Sequence, residues 1–105
     1  MMESYQVELA KGVEKDLRNI PTRQVERISA AIYKLALNPR PAGSVKLVGY
    51  DIEYRIRVGD YRVIYQVHDS ILIILVIEIG HRKDIYRKYE SYPRHHPRSL
   101  SRAWD

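Results

Sequence analysis

Cysteine is absent from the 105 residues, which removes disulfides and thiolate metal sites from consideration. Long apolar runs are absent as well. The longest, Ile71–Ile77, has seven residues, against the roughly 18 that a membrane helix needs. The opening Met1-Met2-Glu3-Ser4-Tyr5 has neither the basic lead nor the apolar stretch of a secretory signal, and no segment repeats. What is present is ordinary for a globular chain: 45% hydrophobic and 30% charged residues, a balance foreign to disordered or collagen-like sequences. The expectation is a cytoplasmic-type protein without a membrane segment and with room for a single core.

Charge is biased. Eighteen Lys and Arg against thirteen Asp and Glu leave +5, a surplus that suits a polyanionic partner, nucleic acid or an acidic protein. Most of it lies after His81, where seven basic residues face three acids.

Hydrophobic spacing gives the element order. Tyr5, Val7 and Leu9 fall on one face of an extended segment starting at Ser4. Val13, Leu17 and Ile20 then follow helical spacing. After Pro21, with Thr22 as its cap, Val25, Ile28, Ile32 and Leu35 mark a longer helix ending at Asn38-Pro39. A Pro- and Gly-containing loop runs to Ser44. Two alternating strands follow, carrying Ile52, Tyr54, Ile56, Val58 and Tyr61, Val63, Tyr65, Val67, with His68 as a turn residue. Ile71–Ile79 is apolar almost throughout, as in a central strand covered on both faces and ended by Gly80. Residues 84–92 suggest a short helix, with Tyr86, Tyr89 and Tyr92 recurring as helix packing or as a base-stacking surface. The expected fold class is α+β, β-α-α-β-β-β(-α), with a mostly antiparallel four-stranded twisted sheet and a helical hairpin on one face. Residues 1–90 form the domain, and 91–105 read as a mobile basic tail. In that tail, His95 and His96 lack the acidic neighbours of a metal site.

The junction Val58-Gly59-Asp60-Tyr61 is the most informative local feature. Gly-Asp between alternating strands fits a type II′ two-residue turn, with positive φ at the glycine. That turn makes positions summing to 119 face one another: Tyr54 with Tyr65 and Ile56 with Val63 on the buried face, Arg57 with Arg62 and Arg55 with Ile64 on the other. Directly opposed arginines repel. Either that face is simply solvated, where repulsion is small, or the arginines are held for an anion, whose phosphate oxygens a guanidinium fork fits bidentately.

Taken together, Lys46-Leu47-Val48-Gly49, the run Tyr54-Arg55-Ile56-Arg57-Val58-Gly59-Asp60-Tyr61-Arg62-Val63-Ile64-Tyr65, and Ile79-Gly80-His81-Arg82-Lys83-Asp84-Ile85-Tyr86-Arg87 resemble the RelE/ParE toxin superfamily. The likeness runs from about Tyr5 to Tyr89. It implies the toxin of a type II toxin–antitoxin system that enters the ribosomal A site and cuts messenger RNA there. The ribose 2′-OH attacks the adjacent phosphorus and leaves a 2′,3′-cyclic phosphate and a 5′-OH, without metal or cofactor. By position, the resemblance assigns Arg55 and Arg57 as basic groups of the second strand and Arg62 as a phosphate clamp. Arg82 becomes the leaving-group stabiliser, and Tyr86 the residue positioning the nucleotide. Lysines often stand where this chain has Arg55 and Arg57, and arginine is a poor base. Proton transfer then falls to His81 or Glu53, or catalysis rests on charge stabilisation and positioning. Lys46, Lys83 and Arg87 are RNA-backbone contacts or solvated charge, and His81 is a substrate contact or a plain loop residue. Implied partners are a cognate antitoxin, the ribosome with its messenger, and operator DNA through the antitoxin complex. Relatives of ParE type instead inhibit DNA gyrase without cleaving RNA, and a non-catalytic RNA-binding domain is the third reading.

Overall fold

The computed structural model describes residues 4–90; the expected tail over 91–105, with His95, His96 and Tyr92, lies outside them. The elements are β1 (Gln6–Leu9), α1 (Val13–Arg18), α2 (Thr22–Leu35), β2 (Val45–Lys46), β3 (Glu53–Val58), β4 (Tyr61–His68), β5 (Ile73–His81) and α3 (Arg82–Ile85), followed by a π-helical turn, Tyr86–Glu90. The strands form one sheet in the order β1-β5-β4-β3-β2. β1 runs parallel to β5 and every other pair is antiparallel.

The α+β class is as expected, and the details correct it in four places. The sheet has five strands rather than four, because Val45 and Lys46 pair with Arg55 and Tyr54; a two-residue strand is too short to carry an alternation signal. The apolar strand starts at Ile73, since Leu72 turns with φ 56°, and it runs through Gly80 to His81. It is interior, but β4 is the middle strand and includes His68. Finally, Thr22 is the first residue of α2 and makes no capping bond; Pro21 precedes it.

The helical hairpin covers one face. Val13 of α1 and Ile28, Ile32 and Leu35 of α2 pack with Val63, Tyr65, Ile74 and Val76 of the sheet. Fully burying a side chain of this size is worth about 1.5–3 kcal/mol. A bulge in β5 then changes which residues face the helices. Ile64 pairs with Glu78 but Tyr65 pairs with Val76, leaving Ile77 without a partner on β4. Ile74 and Val76 reach the helical core before the bulge and Ile79 after it. Glu78 turns to the outer face, where Tyr89 Oη donates to its carboxylate at 2.6 Å and Lys88 Nζ lies at 3.0 Å.

That outer face has its own small core of Leu47, Ile64 and Ile85, with Tyr50, Ile77 and Tyr89 against it. It holds α3 and the π-turn on the sheet beside the β3–β4 hairpin. Gly80 permits the close packing, because a Cβ there would stand 3.3 Å from Ile85 Cδ1.

Candidate active site

The hairpin has the register expected from its turn. Glu53, Tyr54, Arg55, Ile56, Arg57 and Val58 face Gln66, Tyr65, Ile64, Val63, Arg62 and Tyr61 in that order. Gly59 has φ 59° while Asp60 keeps a negative φ, the type II′ signature. Even-numbered β3 residues Ile56 and Val58 therefore join the helical core, and Arg55, Arg57 and Arg62 share the outer face.

An open cavity of about 400 Å³ lies over that face, lined by Arg55, Arg57, Arg62, Arg82, Lys83 and Tyr86. Three separate segments supply these side chains: β3, β4, and the stretch from α3 into the π-turn. Five of the six can carry positive charge and none is a carboxylate. Arg62 Nη1 donates to the carbonyls of Gly59 at 3.1 Å and Tyr61 at 3.0 Å, so the turn itself orients its guanidinium. Arg82 N donates to Asp60 O at 2.8 Å, tying the start of α3 to the hairpin tip, and Arg82 Nε sits 3.8 Å from Asp60 Oδ1. Tyr86, 48% exposed, points into the cavity, whereas Tyr89 one turn on is packed inward. Burial and its bond to Glu78 raise the Tyr89 pKa, which keeps that hydroxyl a donor.

All five residues assigned to catalysis thus meet in one place, with Lys83 beside them. The remaining assignments are distributed differently. His81 does not line the cavity: its Nδ1 accepts from Lys83 N at 3.2 Å and caps α3, and its ring stands edge-on to Tyr61. An accepting Nδ1 places the neutral ring's proton on Nε2, so the nitrogen that could take a proton is engaged in the cap. Glu53 is also committed, accepting from the Asp51 and Ile52 amides at 3.2 and 3.1 Å and from Gln66 Nε2 at 2.8 Å. Lys46 stands opposite Tyr54 and so projects to the helix side of the sheet, away from the arginines. Arg87 is exposed and lies 3.9 Å from Asp84, outside the cavity lining. Sequence reasoning missed Asp60, whose role depends on a contact between residues 22 positions apart and has no local signal.

Comparisons with known proteins bear on the fold and the family. A family model described as ParE toxin of the type II toxin–antitoxin system parDE matches residues 7–86. Toxin RelE3 of Methanocaldococcus jannaschii is 37% identical over 81 residues, covering 73% of this chain and 90% of that protein. The archaeal RelE–RelB complex from Pyrococcus horikoshii contains a chain 32% identical, with a TM-score of 0.67 over 74% of this chain and 94% of that one. A mutant of E. coli toxin RelE in the free state, at 23% identity, shares the fold with a TM-score of 0.69 over 89% of this chain and 99% of its own. With most of its length matched in sequence and its fold matched in three dimensions, the chain belongs to the RelE/ParE toxin superfamily of type II toxin–antitoxin systems.

Proposed function

We propose that this toxin is a ribosome-dependent endoribonuclease that cuts messenger RNA in the A site and is neutralised by a cognate antitoxin. The observation that carries the reading is the cavity: four arginines, one lysine and one tyrosine from three segments around a space of about 400 Å³. In the proposed reaction the ribose 2′-oxygen attacks the neighbouring phosphorus as the P–O5′ bond breaks. The products are a 2′,3′-cyclic phosphate and a 5′-OH. Negative charge builds on the equatorial phosphoryl oxygens, where Arg55, Arg57 and Arg62 act as preorganised donors. Arg82 stabilises the departing 5′-oxygen, and Tyr86 positions the nucleotide by stacking or through its hydroxyl. Guanidiniums supply the charge stabilisation, and the reading calls for no metal or cofactor.

Proton transfer takes a different route from His81 or Glu53, both occupied elsewhere. Arginine holds its proton far above neutral pH, so Lys83 and Tyr86 are the lining residues whose side chains can exchange one. Lys83 thereby moves from a backbone contact to the first candidate for the group that handles the 2′-OH or leaving-group proton.

The partner follows from the relatives, whose solved structures include RelE–RelB toxin–antitoxin complexes. The antitoxin proposed here is an acidic protein that covers the basic surface in the cytoplasm and contacts operator DNA on behalf of the pair. The match to a ParE family model favours a second reading, a gyrase inhibitor without nuclease activity. Purified chain, ribosomes programmed with messenger, and mapping of new 5′ ends separate the two. Codon-linked cuts with 5′-OH ends that vanish in Arg62→Ala are the expected result. Intact messenger together with blocked DNA supercoiling would overturn the nuclease reading in favour of the second.

A further inference from the structure

The turn between β3 and β4 carries a carboxylate that the turn itself does not need. A type II′ turn asks for glycine at its first central position and takes asparagine or serine after it as readily as aspartate, yet Gly59 is followed by Asp60. We propose that Asp60 is a specificity-determining residue, whose carboxylate, set against Arg82, favours the single charge of a phosphodiester over the higher charge of a free nucleotide. The inference deepens the nuclease reading above and rests on it for the identity of the diester.

Two contacts place Asp60. Its carbonyl accepts from Arg82 N at 2.8 Å, which fastens the turn to the start of α3, and its Oδ1 stands 3.8 Å from Arg82 Nε. Arg82 also lines the cavity, so one guanidinium serves both the turn's carboxylate and an anion bound there. The two side chains are 54% and 72% exposed, which makes this a weak pair. A phosphate oxygen can therefore take up Arg82 without the large desolvation cost of breaking a buried ion pair.

The charge balance of the cavity gives that carboxylate its consequence. Four arginines and one lysine line it, with no carboxylate among them. Each linkage of a nucleic-acid strand brings one negative charge. A free nucleoside triphosphate offers the same base, sugar and phosphate but several charges, its terminal phosphate alone carrying about −1.5 to −2. Left to the five cations, charge would favour the free nucleotide over the messenger linkage. Asp60 opposes this. Coulomb energy is proportional to ligand charge, so the factor in affinity that a monoanion loses to the carboxylate is lost again for each further charge within its reach. A small penalty on the diester becomes a large one on the triphosphate. Screening limits that reach to about 8 Å at physiological salt, and a phosphate bound by Arg82 lies inside it.

The test titrates the full chain with two probes in the presence of a chelator and follows the backbone amide shifts of Arg82 to Tyr86. One probe is a deoxy dinucleotide, which carries a single phosphodiester charge and no 2′-OH; the other is adenosine triphosphate. Asp60→Asn suits the turn, keeps the backbone carbonyl and removes only the charge. It should tighten dinucleotide binding by about two- to threefold and triphosphate binding by about tenfold or more. Asp69→Asn makes the same charge change beyond the other end of β4, a strand of 8 residues or about 26 Å, and should alter neither. Equal gains for the two probes in Asp60→Asn, or none, would overturn the proposal, as would the same unequal gains in Asp69→Asn. Weaker binding of both probes to Asp60→Asn would also overturn it, by showing that the carboxylate holds Arg82 in place for the anion. Messenger cleavage by the wild-type chain on programmed ribosomes is read in parallel. A chain that cleaves nothing yet shows the unequal gains refutes the nuclease reading and leaves the charge selection standing. A chain that cleaves while the gains are equal loses only the role of Asp60.

Discussion

Arg40, in the loop after α2, and the arginines of the cavity flank the same small sheet, and the protein uses them in opposite ways. Arg40 directs its donors inward to the fold. Its Nη2 and Nη1 reach Asp69 at 2.7 and 3.3 Å, its Nε donates to Tyr54 Oη at 3.0 Å, and its guanidinium lies 5.2 Å from the Tyr54 ring centre. Tyr5 Oη donates to the same Asp69 at 2.6 Å. Tyr65, packed 6.0 Å from Tyr54, donates to Pro39 O at 2.7 Å, and burial pushes its pKa up to about 12. The loop after α2 is thereby fastened to β1, β3 and the β4–β5 turn. On the other face, five cationic side chains converge with no carboxylate in the lining, and Asp60 stands 3.8 Å from Arg82. Arginines that stabilise a fold are surrounded by acceptors the fold provides. Arginines gathered around a lining that holds no carboxylate repel one another and suit an anion from outside.

The comparison is broken most forcefully in the cavity. Arg62→Ala and Arg82→Ala are each expected to lower single-turnover cleavage on programmed ribosomes by roughly 10²–10³-fold, with the thermal unfolding midpoint preserved. A large loss of stability in either variant would move that arginine into the company of Arg40. Lys83→Arg comes next. It keeps the charge but holds its proton too tightly to exchange it, so cleavage should fall by about 10²-fold with ribosome binding retained. Full activity in Lys83→Arg would limit the lysine to charge alone. Tyr89→Phe sharpens the boundary between the two regions, because Tyr89 is structural yet holds the π-turn that carries Tyr86. Losing its bond to Glu78 should cost about 1 kcal/mol, read as faster amide exchange across α3, and lower cleavage only severalfold.

The parts of this site that sequence reveals are those fixed by short-range rules. A two-residue Gly-Asp turn fixes the register of an entire hairpin, so Arg57 opposite Arg62 follows from counting. The resemblance then adds Arg82 and Tyr86, and the structure brings both to the same cavity. Other features depend on contacts that no local pattern encodes. β5 is apolar on both faces, so nothing in Ile73–Ile79 marks Ile77 as the bulge that turns Glu78 outward. Lys46 fits an RNA contact or solvated charge equally well in sequence, and only its pairing with Tyr54 shows that it stands on the helix side, away from the cavity. His81, next to Arg82, reads equally as an acid–base or substrate-contact group and as a plain loop residue, and only the 3.2 Å approach of Lys83 N to Nδ1 reveals a helix cap.

The smallest expected effect lies with Arg40, and its sign separates the two regions by pH. Bonds from Arg40 and then Tyr5 hold the Asp69 carboxyl below its ordinary 3.8. A carboxylate whose pKa is depressed in the folded state adds stability above its unfolded value, and that contribution is lost as the pH falls through the folded one. Asp69→Asn should therefore be less stable than wild type at neutral pH. The two unfolding midpoints should start to approach one another below about pH 4 and meet only at more acid pH, below the depressed folded-state value, where the native wild-type carboxylate is protonated as well. The Arg40–Asp69 pair is exposed, with 42% and 57% of its side-chain surface accessible, so the neutral-pH gap should be small and should narrow further as salt is added. Cleavage by Asp69→Asn should match wild type, since the clasp and the cavity share no side chain. A gap that persists under acid would mean that Asp69 acts through packing, and lost cleavage would mean that the two arginine systems are mechanically coupled through β3.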